Sequence, residues 1–198
     1  TCALPISDAR AARARERAST PRRSAAHHRS PWQRALVRLG LCCHTRHMSD
    51  APASGPLRLV LDTQVWLDLL VFEDGRCATL SNMLAQAEAI ALARVDTREE
   101  WLRVLRYPAL KLEPRQIEAA EQRYALLARI IPEAQGSGPL PRCSDPDDQK
   151  FIELAVDAQA DAILSRDHAL LRMDRRLRER FGLRVLPPHL LCGLTERS

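Results

Sequence analysis

Long apolar runs are missing from this chain of 198 residues. The most apolar stretch, residues 57–72, is interrupted by Arg58, Asp62 and Asp68, whereas a membrane-spanning helix needs roughly 20 residues of nearly unbroken apolar character. A soluble, cytoplasmic protein without a membrane partner is expected. A secretory signal is not expected either, because the segment Ala35 to Cys43 is broken by Arg38. Lysine is scarce: of the 30 basic side chains only Lys111 and Lys150 are lysine. Neither lies near the last expected strand, where a signalling phospho-acceptor domain keeps its lysine, so that class is set aside. Cysteine is sparse in the part of the chain that reads as globular. Cys77, Cys143 and Cys192 are widely spaced and odd in number, which points to reduced thiols rather than a disulfide framework.

What the chain does have is distributed unevenly. Residues 1–47 carry ten Arg against Asp8 and Glu16. Taking that +8 from the whole chain's +5 leaves −3 for residues 48–198. The basic balance therefore belongs to the N-terminal segment and says little about what the rest binds. That segment, with Arg10, Arg13, Arg15, Arg17, Arg22 and Arg23 among Ala and Pro, has no sustained amphipathic period and little to bury, so disorder is expected. Met48 opens a polar leader, residues 48–56, and reads as the natural start, with residues 1–47 as translated upstream sequence. A basic RNA-binding arm or targeting peptide is the competing view. Cys42-Cys43-His44 with His47 has zinc-ligand residue types, but without a second pair it is read as chance.

From Leu57 onward strands and helices alternate. Leu57-Arg58-Leu59-Val60-Leu61 reads as a strand that ends at Asp62, followed by Val65, Trp66, Leu69 and Leu70 at helical spacing. Cys77 to Glu88 predicts a helix, and Ile90 to Ala93 a second strand. Thr97-Arg98-Glu99-Glu100 has the spacing of a capping box that opens the next helix. Pro114 starts a long amphipathic helix running through Ala128 and Ile131. Asp145-Pro146-Asp147-Asp148 is an acidic helix start with proline at the first position. Ala162 to Leu164 and Leu183 to Leu186 complete four strands. This alternation predicts an α/β domain over residues 57–193, with a mainly parallel sheet covered on both faces, and a short tail at 194–198.

Four carboxylates, Asp62, Glu100, Asp148 and Asp167, stand where a strand gives way to a helix or within the first turn of one. In a parallel sheet these junctions share one edge, the edge where ligands bind. Each acid alone has a structural explanation as a helix cap or as a charge favoured by the helix dipole. Together, with no lysine beside them, they repel one another unless a cation intervenes. Asp148 shares a helix face with Ile152 and Ala155, so it leans toward the sheet. Oxygen-only ligands suit Mg2+ or Mn2+, and the chemistry such ions support is water attack on a phosphodiester. Arg166 and the run Arg172, Arg175, Arg176, Arg178 and Arg180 would draw a nucleic-acid backbone alongside. Trp66, Trp101, Tyr124 and Phe151 occupy apolar helix faces and are expected in the core. Asp62-Thr63-Gln64-Val65 lacks a second Asp two residues on, which weighs against a phosphatase using an aspartyl intermediate.

The strings Leu59-Val60-Leu61-Asp62-Thr63, Glu100 ahead of Val104-Leu105-Arg106-Tyr107-Pro108, Asp145-Pro146-Asp147-Asp148 with Ala155, and Ala162-Ile163-Leu164-Ser165-Arg166-Asp167 occur in an order that resembles the PIN-domain nucleases. The resemblance is nearest to the VapC-like branch, the toxin components of toxin-antitoxin systems. It implies a three-layer α/β/α sandwich and a catalytic, metal-holding set of Asp62, Glu100, Asp148 and Asp167, with Asp145 assisting. Thr63, Gln64 and Arg166 are expected on the substrate. It further implies Mg2+- or Mn2+-dependent endoribonuclease activity, a homodimer and a cognate antitoxin. Gln64 stands where many relatives have Asn. An RNA-processing nuclease without a toxin role, or a non-catalytic RNA- or protein-binding module, are the alternatives.

Overall fold

A computed structural model of the chain describes residues 55–133 and 138–195. The expectations for the N-terminal segment, for the start at Met48 and for the Cys42-Cys43-His44 cluster lie outside the described residues.

Five strands form one sheet. They are β1 (Leu57–Leu61), β2 (Ala89–Ala93), β3 (Ala128–Ile130), β4 (Ala162–Leu164) and β5 (Arg184–Leu186). Their order is β3-β2-β1-β4-β5, and every pairing is parallel. The chain starts in the middle, builds outward to β3, then returns to lay β4 beside β1 and builds the other way. The turning point of the topology therefore lies between β1 and β4, and in such sheets the crevice opens at the carboxyl ends of those two strands.

The unbroken apolar sequence of β1 follows from this placement. Successive side chains of a strand leave on opposite faces, so Leu59, Val60 and Leu61 are all buried only because both faces are covered. Leu59 and Leu61 join Ala91, Ala93 and Leu164 in one apolar cluster. Helices α1 (Thr63–Leu70), α2 (Ala78–Ala85), α3 (Val95–Leu105) and α4 (Pro114–Leu127) pack there through Val65, Leu80, Trp101 and Tyr124. Val60, Leu92, Ile163 and Val185 point into the second cluster. Helices α5 (Gln149–Asp157), α6 (His168–Leu171) and α7 (Asp174–Phe181) cover it with Phe151, Ile152, Leu170 and Leu177. A last turn, α8 (Cys192–Thr195), closes the described chain. The result is the expected three-layer α/β/α sandwich. Among the described residues no helix is long and apolar enough to cross a membrane. Cys77 and Cys143 are free thiols.

Four aromatic side chains expected in the core are there. Trp66, Trp101, Tyr124 and Phe151 are each at most 2% exposed. Tyr124 stacks on Trp101 with ring centroids 4.4 Å apart and an interplanar angle of 18°, and meets Trp66 at 4.5 Å and 52°. This trio joins α1, α3 and α4.

Three local expectations are corrected. The helix after Cys77 stops at Ala85, not Glu88, because Ala87 turns into the left-handed region with φ 58°. The long helix from Pro114 ends at Leu127, and Ala128–Ile130 leaves it to pair with Ala91, Leu92 and Ala93 as a fifth, edge strand. The helix carrying Glu100 begins at Val95 with Arg94 as its cap, so Thr97 sits in its first turn, where its hydroxyl accepts from the Arg94 N–H at 3.0 Å. Glu100 is therefore one turn further in and does not close a capping box with Thr97.

Candidate active site

Asp62 leaves the end of β1 and caps α1. Its backbone N–H donates to Leu164 O of β4 at 3.0 Å, which ties it to the neighbouring strand end. Its carboxylate makes no capping bond to α1. Instead Oδ2 accepts the Ser165 hydroxyl at 2.8 Å, and the residue is fully buried. Ser165 Oγ in turn accepts the Asp167 N–H at 2.9 Å. One serine hydroxyl thus couples the acid that follows β1 to the acid that follows β4.

A second set of bonds starts one residue later. Thr63 Oγ1 donates to Glu100 Oε1 at 2.7 Å, joining α1 to α3. The other Glu100 oxygen is held by the Lys150 ammonium, which belongs to α5, two residues past Asp148. The sequence expectation that no lysine stands beside the acids is overturned here. Lys150 was missed because it lies on α5 rather than after the last strand, although it is only two positions from Asp148.

The four acids divide by burial and by bonding. Asp62 and Asp148 are 0% exposed and Glu100 is 8% exposed. Asp148 begins α5 without capping it through its side chain, and Ile152 and Ala155 on its face are buried. Asp167 is half-buried and does cap α6, accepting the Ala169 N–H at 2.7 Å. Asp145 caps the short turn Pro146–Asp148 by accepting the Asp147 N–H at 3.0 Å. The ordinary capping explanation therefore accounts for Asp145 and for part of Asp167. It accounts for none of the three buried carboxylates. Burying ionised groups is costly unless other charges or donors compensate.

The expected substrate-binding residues have other engagements. The Thr63 hydroxyl is spent on Glu100, and Thr63 and Gln64 are both buried. The Arg166 guanidinium turns inward to Asp68 and lies 3.8 Å from Asp74, with its side chain 9% exposed. Burial raises the Asp68 carboxyl above its ordinary range against the pull of Arg166. The Arg76 guanidinium beside Asp74 holds that carboxyl below its ordinary 3.8. For Asp74 the folded state gives up its proton more readily than the unfolded chain. Its stabilising contribution is therefore full above pH 3.8 and is lost as pH falls through the lowered value. Replacing Asp74 with Asn should flatten the acid limb of a plot of urea midpoint against pH; an unchanged limb would refute the assignment. The exposed arginines Arg172, Arg175, Arg176, Arg178 and Arg180 remain on the surface of α7 and the turn before it. A cleft of about 670 Å³ beside Arg94, Glu153 and Asp157 includes Pro146 and Gln149 in its wall but none of the four acids. The Ser165 bridge between Asp62 and Asp167 and the Thr63–Glu100 bond lie at the strand ends, apart from the walls of that cleft.

The donors at the strand ends are all oxygen, which fits a hard divalent cation. Among the described residues no three His, Cys, Asp or Glu side chains are gathered as a metal-holding group, and the Lys150 ammonium stands on Glu100. The donor chemistry fits; the side chains must close up, and Lys150 must yield, for Glu100 to serve as a ligand.

A family profile described as PIN domain matches residues 58–169, a span that contains all four acids. No curated protein and no solved structure gives a significant match. With a five-stranded parallel sheet, helices on both faces and this match over more than half of its length, the chain belongs to the PIN-domain family and has its nuclease-type fold.

Proposed function

We propose that the chain is a divalent-metal-dependent endoribonuclease that acts as the toxin of a toxin-antitoxin pair. The observation that carries the nuclease reading is that Asp62 after β1 and Asp167 after β4 share the Ser165 hydroxyl at the turning point of the sheet, while Asp62, Glu100 and Asp148 are buried and neither Asp62 nor Asp148 caps its helix through its side chain. Asp62, Glu100, Asp148 and Asp167 would hold Mg2+ or Mn2+. When bound, such an ion supplies Lewis-acid stabilisation of the charge that develops on a phosphodiester under attack. The chain's own residues orient the ligands. Ser165 fixes the rotamer of Asp62 and the position of Asp167, and Thr63 fixes Glu100. The arginines of α7 give an RNA backbone a cationic surface. The resemblance to toxin components supports the cellular role, the cognate antitoxin and a homodimer.

The test is cleavage of an end-labelled single-stranded RNA by the full chain. Internal cuts are expected with Mg2+ or Mn2+, none in EDTA, and recovery when the metal is restored. RNA that stays intact under all metal conditions would overturn the nuclease reading. The Lys150–Glu100 pair favours a second reading, a non-catalytic module in which the lysine permanently neutralises the site. Absence of Mn2+ binding in calorimetry would select it. The toxin role predicts a small neighbouring reading frame with a DNA-binding N-terminus, whose product relieves growth arrest caused by this chain.

A further inference from the structure

We propose that Lys150 is a tethered counter-ion of the acidic site: its ammonium occupies Glu100 in the metal-free protein and must leave before a divalent cation can use that carboxylate. The inference rests on the reading above that the site takes such a cation.

Glu100 has both oxygens engaged, one by the Thr63 hydroxyl and the other by Lys150. The pair is well withdrawn from solvent, with side-chain exposures of 22% for Lys150 and 11% for Glu100, so it is weakly screened by salt. The ammonium also lies 5.7 Å from the centroid of the Phe151 ring. Asp96 on α3 also feels the Lys150 charge, and it is itself bound to Arg94 at 2.7 Å. The direct ion pair places Lys150 on Glu100.

The residue type matters. In a chain that uses arginine for nearly every cation, this position carries one of two lysines. An ammonium is a point charge with rotatable donors on a flexible stem and can release one oxygen without breaking a planar two-point grip. A guanidinium in its place would hold both carboxylate oxygens and resist exchange. The arrangement balances a buried acid before metal arrives and lets the metal replace the balancing charge. Its consequence is a lower apparent affinity: a site held by Lys150 in nine molecules of ten would bind the cation about tenfold more weakly than its intrinsic value.

The test is calorimetric titration of the metal-free full chain with Mn2+. Lys150→Met should bind about tenfold more tightly than the wild type, and Lys150→Arg more weakly. The arginine variant matters because simple removal of a nearby positive charge would leave it equal to the wild type. Since the methionine variant deprives a buried carboxylate of its cation and can lose its fold, a wild-type measurement runs beside it. Labelled with 15N-lysine, the chain carries two side-chain reporters, Lys150 and the exposed Lys111. Added Mg2+ should move the Lys150 ammonium signal and leave Lys111 unchanged. Equal Mn2+ affinity in all three proteins with an unmoved Lys150 signal would overturn the proposal and leave the metal site standing. Absence of binding in the wild type and in Lys150→Met alike would overturn both. Binding by the methionine variant alone would support the proposal in its extreme form.

Discussion

Asp148→Asn is expected to lower metal-dependent RNA cleavage at least about a hundredfold, the scale on which losing one group that stabilises developing charge acts. It should do so without lowering the stability of the metal-free protein. Asp148 is 0% exposed and does not cap its helix through its side chain, and keeping an ionised carboxylate out of water is costly in itself. Asparagine has nearly the same shape and no charge. The urea midpoint in EDTA should therefore stay where it is or rise, while cleavage in Mn2+ collapses. Full activity in this variant would remove Asp148 from the mechanism. Collapse of both activity and stability would make it a structural residue.

Trp101→Ala is expected to cost about 3–5 kcal/mol, the range for truncating a large buried aromatic. Trp101 has no exposure, and its ring lies against Tyr124, which also touches Trp66. The void would open where three helices meet, and relaxation there requires moving α1, α3 and α4 together. Trp101→Phe should lose much less, because the indole N–H makes no hydrogen bond among the described residues and a phenyl ring keeps part of the stack. Urea denaturation followed by circular dichroism checks both values. The site should feel the alanine variant as well, since Glu100 is the preceding residue of the same helix; cleavage should fall at temperatures where most molecules are still folded.

How far the structure was legible in the sequence depended on whether a feature had a local cause. The strand Leu59-Val60-Leu61 and the proline-led turn before α5 announce themselves, because an apolar run between polar ends and a proline at a helix start each have one economical fold. The parallel three-layer arrangement followed from alternation. The strand Ala128–Ile130 was not legible: three residues continue the helical pattern of α4 smoothly, and only pairing with Ala91, Leu92 and Ala93 makes them extended. The start of α3 was misplaced by a threonine that resembles a cap but lies inside the first turn. At the site, the positions of Asp62 and Asp148 at the starts of helices were readable, and so was the burial of Asp148. The Ser165 bridge, the Lys150 pair and the inward turn of Arg166 were not, since each joins residues about fifty to a hundred positions apart. Ser165 did leave one signal: it is the first residue after β4, the place where a hydroxyl meets a neighbouring strand end.

Because β4 follows β1, β2 and β3 in the chain and is laid beside β1, Asp62 and Glu100 come from the first half of the domain over residues 57–193, and Asp148, Lys150 and Asp167 from the second. A polypeptide still emerging from the ribosome holds only part of the set until the second half has cleared the exit tunnel. On the proposed reading of an enzyme that cuts RNA, the capacity to cleave cannot precede synthesis of the β4 side of the sheet.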